Sequence, residues 1–119
     1  MIKKKISYIF GLLAEYYVIF LLFFQGYRLI KHRYKTKLGE IDLILTKGKN
    51  LIAVEVKARK DKSCKIGEVV SQKQLYRINN ALKIFLGRYE KYSDYNIKIN
   101  IVLVKRNLLI EQIKNVWIE

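Results

Sequence analysis

The chain has 119 residues, 51% of them hydrophobic, which is enough for one core and too few for two ordinary domains, so residues 1–119 are read as a single domain. A formal charge of +14, from 24 Lys and Arg against 10 Asp and Glu, draws the protein towards polyanions such as nucleic acid or an acidic membrane surface. A lone cysteine, Cys64, excludes an intrachain disulfide, and one His with one Cys excludes a tetrahedral zinc site of soft ligands; a reducing cytoplasm is the expected setting.

Lys3, Lys4 and Lys5 precede an apolar run from Ile6 to Phe24, close in length to the span of a hydrocarbon core, and a membrane anchor over residues 6–24 is one reading of it. Glu15 in its middle would cost about 3 kcal/mol on insertion, and Tyr8, Tyr16 and Tyr17 lie inside the run rather than at its edges. A buried amphipathic helix is the preferred reading. Ile9, Leu12, Leu13, Tyr16, Ile19, Phe20, Phe23 and Phe24 follow the i, i+3, i+4 repeat and predict the face that packs on a sheet, with Glu15 off its centre. Gly26 is placed to end the helix in the left-handed conformation. A strand from Tyr27 to Tyr34 follows, and Arg28, Lys31, Arg33, Lys35 and Lys37 give it a basic character.

Gly39 to Ile44 and Ala53 to Lys57 read as strands joined by the turn-like stretch Thr46 to Asn50. An antiparallel hairpin with Gly48 and Lys49 at its tip predicts Asp42 opposite Glu55 and Glu40 opposite Lys57. Like charges so placed lie roughly 5 Å apart and are destabilising by up to about 1 kcal/mol, so a cation is expected to offset them. Ala58 to Lys65 is a charged loop in which Cys64 is an incidental thiol, and His32 is read as a strand or loop residue without catalytic context. A second helix is predicted from about Glu68 to Tyr89, its apolar stripe running through Val70, Leu75, Ile78, Ala81, Leu82, Phe85 and Leu86, with Lys73, Arg77 and Lys83 on a basic side. Ile97 to Val104 predicts another strand, and Leu108 to Ile118 a last edge strand or a short helix. The order predicts an α/β fold with a mixed central sheet flanked by helices.

Phosphodiester hydrolysis needs an activated water, neutralisation of charge on phosphate oxygens and help for the leaving oxygen, and Mg²⁺ supplies part of each. One or two carboxylates and a backbone carbonyl hold such an ion. Asp42, Glu55 and the Val56 carbonyl meet that requirement. Lys57, on the same strand face as Glu55, is placed to orient water or stabilise developing charge. The plainer reading is a salt-bridged hairpin in which Lys57 neutralises Glu40 or Glu55.

Gly11-x-x-x-Glu15, Gly26-Tyr27-Arg28-Leu29, Gly39-Glu40-Ile41-Asp42-Leu43-Ile44, Val54-Glu55-Val56-Lys57-x-Arg59, Gly67 and Lys73-Gln74-x-x-Arg77-Ile78, in that order, resemble the YraN family of small bacterial proteins. That family is similar in fold to the PD-(D/E)XK nucleases, including archaeal Holliday-junction resolvases. The resemblance implies a restriction-endonuclease-like αβββαβ core and a Mg²⁺- or Mn²⁺-dependent nuclease acting on DNA, branched or single-stranded, with no small-molecule cofactor. It assigns Asp42, Glu55 and Lys57 to the nuclease motif, Glu15 to a helix carboxylate that joins the metal site, and Lys73 or Gln74 to a polar position on the following helix. Arg28, Arg33, Lys35, Arg59, Lys73, Gln74 and Arg77 are the expected nucleic-acid contacts. A homodimer would follow only by analogy with junction resolvases, whose substrate is two-fold. Two departures stand out: Lys98-Ile99-Asn100 replaces the usual Arg-Phe-Asp, and Arg33 stands where the family usually has Asn. The alternatives are a non-catalytic nucleic-acid-binding protein with the nuclease fold and a membrane-associated protein anchored by residues 6–24.

Overall fold

Apolar side chains alternate along the central strands and supply a row to each face of the sheet, so both faces need a cover. The computed structural model, which describes residues 2–116, provides one helix for each. In chain order the elements are α1 (Ile2–Phe24), β1 (Arg28–Lys35), β2 (Glu40–Lys47), β3 (Asn50–Arg59), α2 (Gln72–Arg88), β4 (Asn96–Lys105) and β5 (Ile110–Ile113), with short 3-10 turns at Ile66–Glu68 and Glu90–Tyr92. The five strands form one mixed sheet in sequence order, parallel only between β3 and β4, where α2 makes the crossover. The predicted order of helix, three strands, helix and strand is observed, with β5 added as an antiparallel edge. For the segment from Leu108 the strand alternative holds over Ile110–Ile113, and residues 117 and 118 lie outside the described residues.

Leu43, Leu45, Ile52, Val54, Val102 and Val104 face α1, whereas Ile41, Ile44, Leu51, Ala53, Ile99 and Ile101 face α2. The predicted stripe of α2 is buried through Leu75, Ile78, Ala81, Leu82 and Phe85. The helix starts at Gln72 rather than near Glu68, because the Ser71 hydroxyl accepts the Gln74 N–H at 3.1 Å and caps it there. At the end of α1, Gly26 adopts φ +98°, and the Tyr27 N–H reaches back to the Leu22 carbonyl at 3.0 Å.

The predicted packing face of α1 is corrected. Ala14, Val18 and Leu22 are buried with Glu15 against the sheet, while Ile9, Leu13, Tyr16, Phe20, Phe23 and Phe24 are exposed. The helix is apolar on both sides, so periodicity alone cannot choose a face. The small side chains of Ala14 and Val18 permit close approach to the sheet, and Glu15 finds its partners only there.

The β1–β2 connection is a tight turn in which the Thr36 hydroxyl donates to the Gly39 carbonyl at 2.7 Å. A Cβ on Gly39 would sit 2.0 Å from the Arg77 carbonyl oxygen, so this glycine sets how closely α2 lies on the start of β2. Gly39→Ala is expected to cost roughly 3 kcal/mol, read in a thermal melt as a fall of about 10 °C.

Candidate active site

The predicted register of the hairpin is observed from Lys47↔Asn50 to Leu43↔Val54. Beyond that the prediction fails: β2 leaves β3, Glu40 pairs with Lys35 on β1, and β3 continues beside β4 to Arg59. Asp42 therefore meets Glu55 across an opening rather than across a ladder. Its Oδ2 accepts the Val56 N–H at 2.8 Å, replacing the backbone partner that β2 no longer supplies. In an extended strand the N–H and C=O of one residue point to the same edge, so the Val56 carbonyl faces the same opening.

The opening coincides with a break in alternation. Ile41 and Leu43 would share a face in a regular strand, yet Ile41 packs towards α2 and Leu43 towards α1. On β1, Tyr34 packs with Phe85 of α2 while His32 bonds Glu15 of α1. Between them Arg33 has φ +57°, the left-handed conformation that Asn adopts most readily among residues other than glycine. This turn of the backbone brings two consecutive side chains to one carboxylate. His32 Nε2 lies 2.7 Å from Glu15 Oε1, and the Arg33 guanidinium donates to both Glu15 oxygens at 3.2 and 3.3 Å.

Glu55 is buried, and its Oε2 receives the Gln74 side-chain amide and lies 3.3 Å from Lys57 Nζ. Desolvation, reinforced by the hydrogen-bonded negative neighbour Asp42, pushes the Glu55 carboxyl up to about 9, with Lys57 opposing the shift. Two acids forced together beside an ammonium, with a strand carbonyl opening on the same gap, form a hard-oxygen donor set that suits Mg²⁺ or Mn²⁺. Glu15 is engaged elsewhere, by His32 and Arg33. Among the described residues no three His, Cys, Asp or Glu side chains converge to hold a metal. The fit is thus to a pair of carboxylates rather than to three.

Glu15, Arg33, Lys35, Glu40, Ile41 and Asp42 line a cleft of about 190 Å³. A broader depression of about 780 Å³ between the end of β1 and α2 shares Lys35 with it and adds Lys37 and Arg88. Lys73 and Arg77 are exposed on α2. Arg59 is exposed at the end of β3, its guanidinium on the Ala58 carbonyl at 2.8 Å. Arg28 pairs with Thr46, four residues along β2 from Asp42 and on the order of 13 Å away at the strand rise. Asn100 is buried on β4, and its Oδ1 accepts the Asn115 N–H at 3.1 Å, fastening the C-terminal segment. Sequence reasoning passed over His32 and Arg88. Nothing local marks His32, because its partner lies 17 residues away on another element.

Fold and site together define an α/β domain whose sheet opens around a carboxylate pair and a lysine, beside a cleft lined by acids and bases together. The chain belongs to the family described as uncharacterised protein family UPF0102, whose model matches residues 14–104 and so spans Glu15, Asp42, Glu55, Lys57 and Gln74. It is 38% identical over 98 residues to a UPF0102 protein of Parvibaculum lavamentivorans, covering 82% of this chain and 73% of that one. It is 36% identical over 118 residues to a UPF0102 protein of Ehrlichia chaffeensis, covering 98% and 93%.

The Glu55 shift has a definite sign. Below pH 4.5, the ordinary value, folded and unfolded chains both hold the proton; between there and about 9 only the folded chain does, so stability falls as pH rises. Glu55→Gln, which keeps the shape without the charge, is expected to match the parent at pH 4 and to melt at least about 4 °C higher at pH 9, the shift that roughly 1 kcal/mol produces in a small domain. Calorimetry in metal-free buffer at the two pH values measures it.

Proposed function

We propose that the protein is a divalent-metal-dependent nuclease that hydrolyses phosphodiester bonds of DNA in the cytoplasm. The observation that carries this reading is the buried Glu55, held beside Asp42 with Lys57 at 3.3 Å, in a gap that the sheet opens between β2 and β3. Desolvation and Asp42 make Glu55 costly to ionise without a cation, as its raised titration shows, and a structural hairpin has no need of an acid placed so. The resemblance of Gly39 to Ile44 and of Val54 to Lys57 to the YraN family, itself similar in fold to the PD-(D/E)XK nucleases, points to the same chemistry.

Asp42, Glu55 and the Val56 carbonyl would hold Mg²⁺ or Mn²⁺, which when bound supplies charge neutralisation and an acidified water. Gln74 fixes the Glu55 carboxyl by its hydrogen bond. Lys57 orients the attacking water and faces the charge that develops on phosphate oxygens. Lys35, lining the cleft with Asp42, and Lys73 and Arg77 on α2 are suited to backbone phosphates, whereas the Arg33 guanidinium is already taken up by Glu15. The net charge of +14 supports association that weakens steeply with salt.

One observation favours a second reading. Because Glu15 is satisfied by His32 and Arg33, the fold is also compatible with a protein that binds nucleic acid without cleaving it. Incubation of the purified protein with linear, single-stranded and branched DNA in Mg²⁺ or Mn²⁺ separates the two. The nuclease reading expects cleavage that Asp42→Ala and Glu55→Ala abolish and that Lys57→Ala lowers by about 100-fold with binding retained. Salt-steep binding with no cleavage that depends on Asp42 assigns the protein to the second reading.

A further inference from the structure

The exposed side of α1 carries a pattern that the proposed chemistry does not use and of which the fold uses only Tyr16, whose ring meets His32 edge-on at 5.4 Å. Ile6, Ile9, Leu13, Tyr16, Phe20 and Phe23 are each between 49% and 64% exposed, and they recur at alternating steps of three and four residues. At 100° per residue this row lies on the side of the helix opposite Ala14, Val18 and Leu22, so the sheet does not obstruct it. The spacing is the 3.5-residue repeat of a seam that packs against another helix. With Ile2 and Phe24, each at least 70% exposed, at either end the row runs to eight large apolar side chains along the whole helix, a surface on the scale of an interface of standard size, which buries about 800 Å² per partner.

From this seam we propose that α1 pairs with α1 of a second copy, antiparallel, to form a two-fold homodimer with the sheets on the outside. The seam is aliphatic in its first half and aromatic in its second. Antiparallel pairing matches small with large: Ile6 against Phe23, Ile9 against Phe20 and Leu13 against Tyr16 of the other copy. A parallel pair would instead stack Phe20 on Phe20 and Phe23 on Phe23, and would set Lys4 and Lys5 of the two copies side by side. In the antiparallel arrangement those lysines approach the C-terminal end of the partner helix, the negative end of its dipole, where the last turn holds no basic residue.

A bilayer is the competing occupant, since Lys4–Phe24 is long and apolar enough to cross a membrane. Crossing would pull Ala14, Val18 and Leu22 out of the core and Glu15 from His32 and Arg33. Lying in the interface calls for basic residues along the polar side, and no Lys or Arg occurs between Ile6 and Phe24. The dimer does not rest on the nuclease reading and is tested without it.

Sedimentation equilibrium of the full chain near 50 µM is expected to give twice the 14.2 kDa protomer mass. The Leu13→Glu/Phe20→Glu variant is expected to give the protomer mass with an unchanged circular dichroism spectrum. In a Cys64→Ser background, a short bismaleimide should join Ile9→Cys to Phe20→Cys when the two proteins are mixed, and should join neither to itself. A protomer mass for the parent, or a dimer that survives the double substitution, overturns the proposal. Self-joining of Phe20→Cys overturns the antiparallel register. Flotation of a monomeric parent with phosphatidylcholine–phosphatidylglycerol vesicles, lost in the double variant, gives the face to the membrane instead.

Discussion

The bond from Asp42 to the Val56 N–H is the constraint on which the rest of the site depends. Because β2 pairs with β3 only from Leu43 onwards, the freed edge of β3 presents backbone groups inside the protein, and an unpaired buried N–H costs roughly 1–3 kcal/mol. The aspartate removes that cost and keeps the two strands apart. The gap it maintains is where Glu55, Lys57 and the Val56 carbonyl meet, so the residue that props the sheet open is also one that would hold the proposed cation. The proposed chemistry and the propping of the sheet thus fall on a single side chain.

The second device is the left-handed turn of the backbone at Arg33, which reverses the faces of β1 as β2 reverses at Asp42. Without it, His32 and Arg33 would point to opposite sides of the sheet and only one could reach Glu15. With it, a buried carboxylate in an apolar helix gains two cationic or hydrogen-bonding partners, and α1 is pinned to the sheet at that point. The same pin decides which side of α1 is buried. It also leaves the longer, more hydrophobic row of that helix facing outward, the surface proposed here for a second copy.

Much of the architecture was legible because it is written in local patterns. The stripe from Leu75 to Phe85 follows helical spacing, the turn at Gly48 and Lys49 fixes the register of β2 and β3 near their tip, and Gly26 ends α1 where a left-handed residue is needed. Asp42, Glu55 and Lys57 could be singled out because charges interrupt otherwise apolar strands. The opening itself was not legible, since alternation assumes a regular pleat and gives no sign of where a ladder stops. The partners of Glu15 were not legible for the same reason: His32 and Arg33 are near in space and 17 and 18 residues away along the chain.

By itself, then, the sequence determined the elements, their order, the α/β class and the identity of the acids and lysine at issue, because propensity, period and turn chemistry act over a few neighbours. The tertiary structure alone decided that Asp42 binds Val56 rather than facing Glu55 across a ladder, that Glu15 turns to His32 and Arg33, and that α1 buries its smaller side. Each of those outcomes is a choice among partners brought together only when the sheet forms, and each was settled by which buried polar group could be satisfied there.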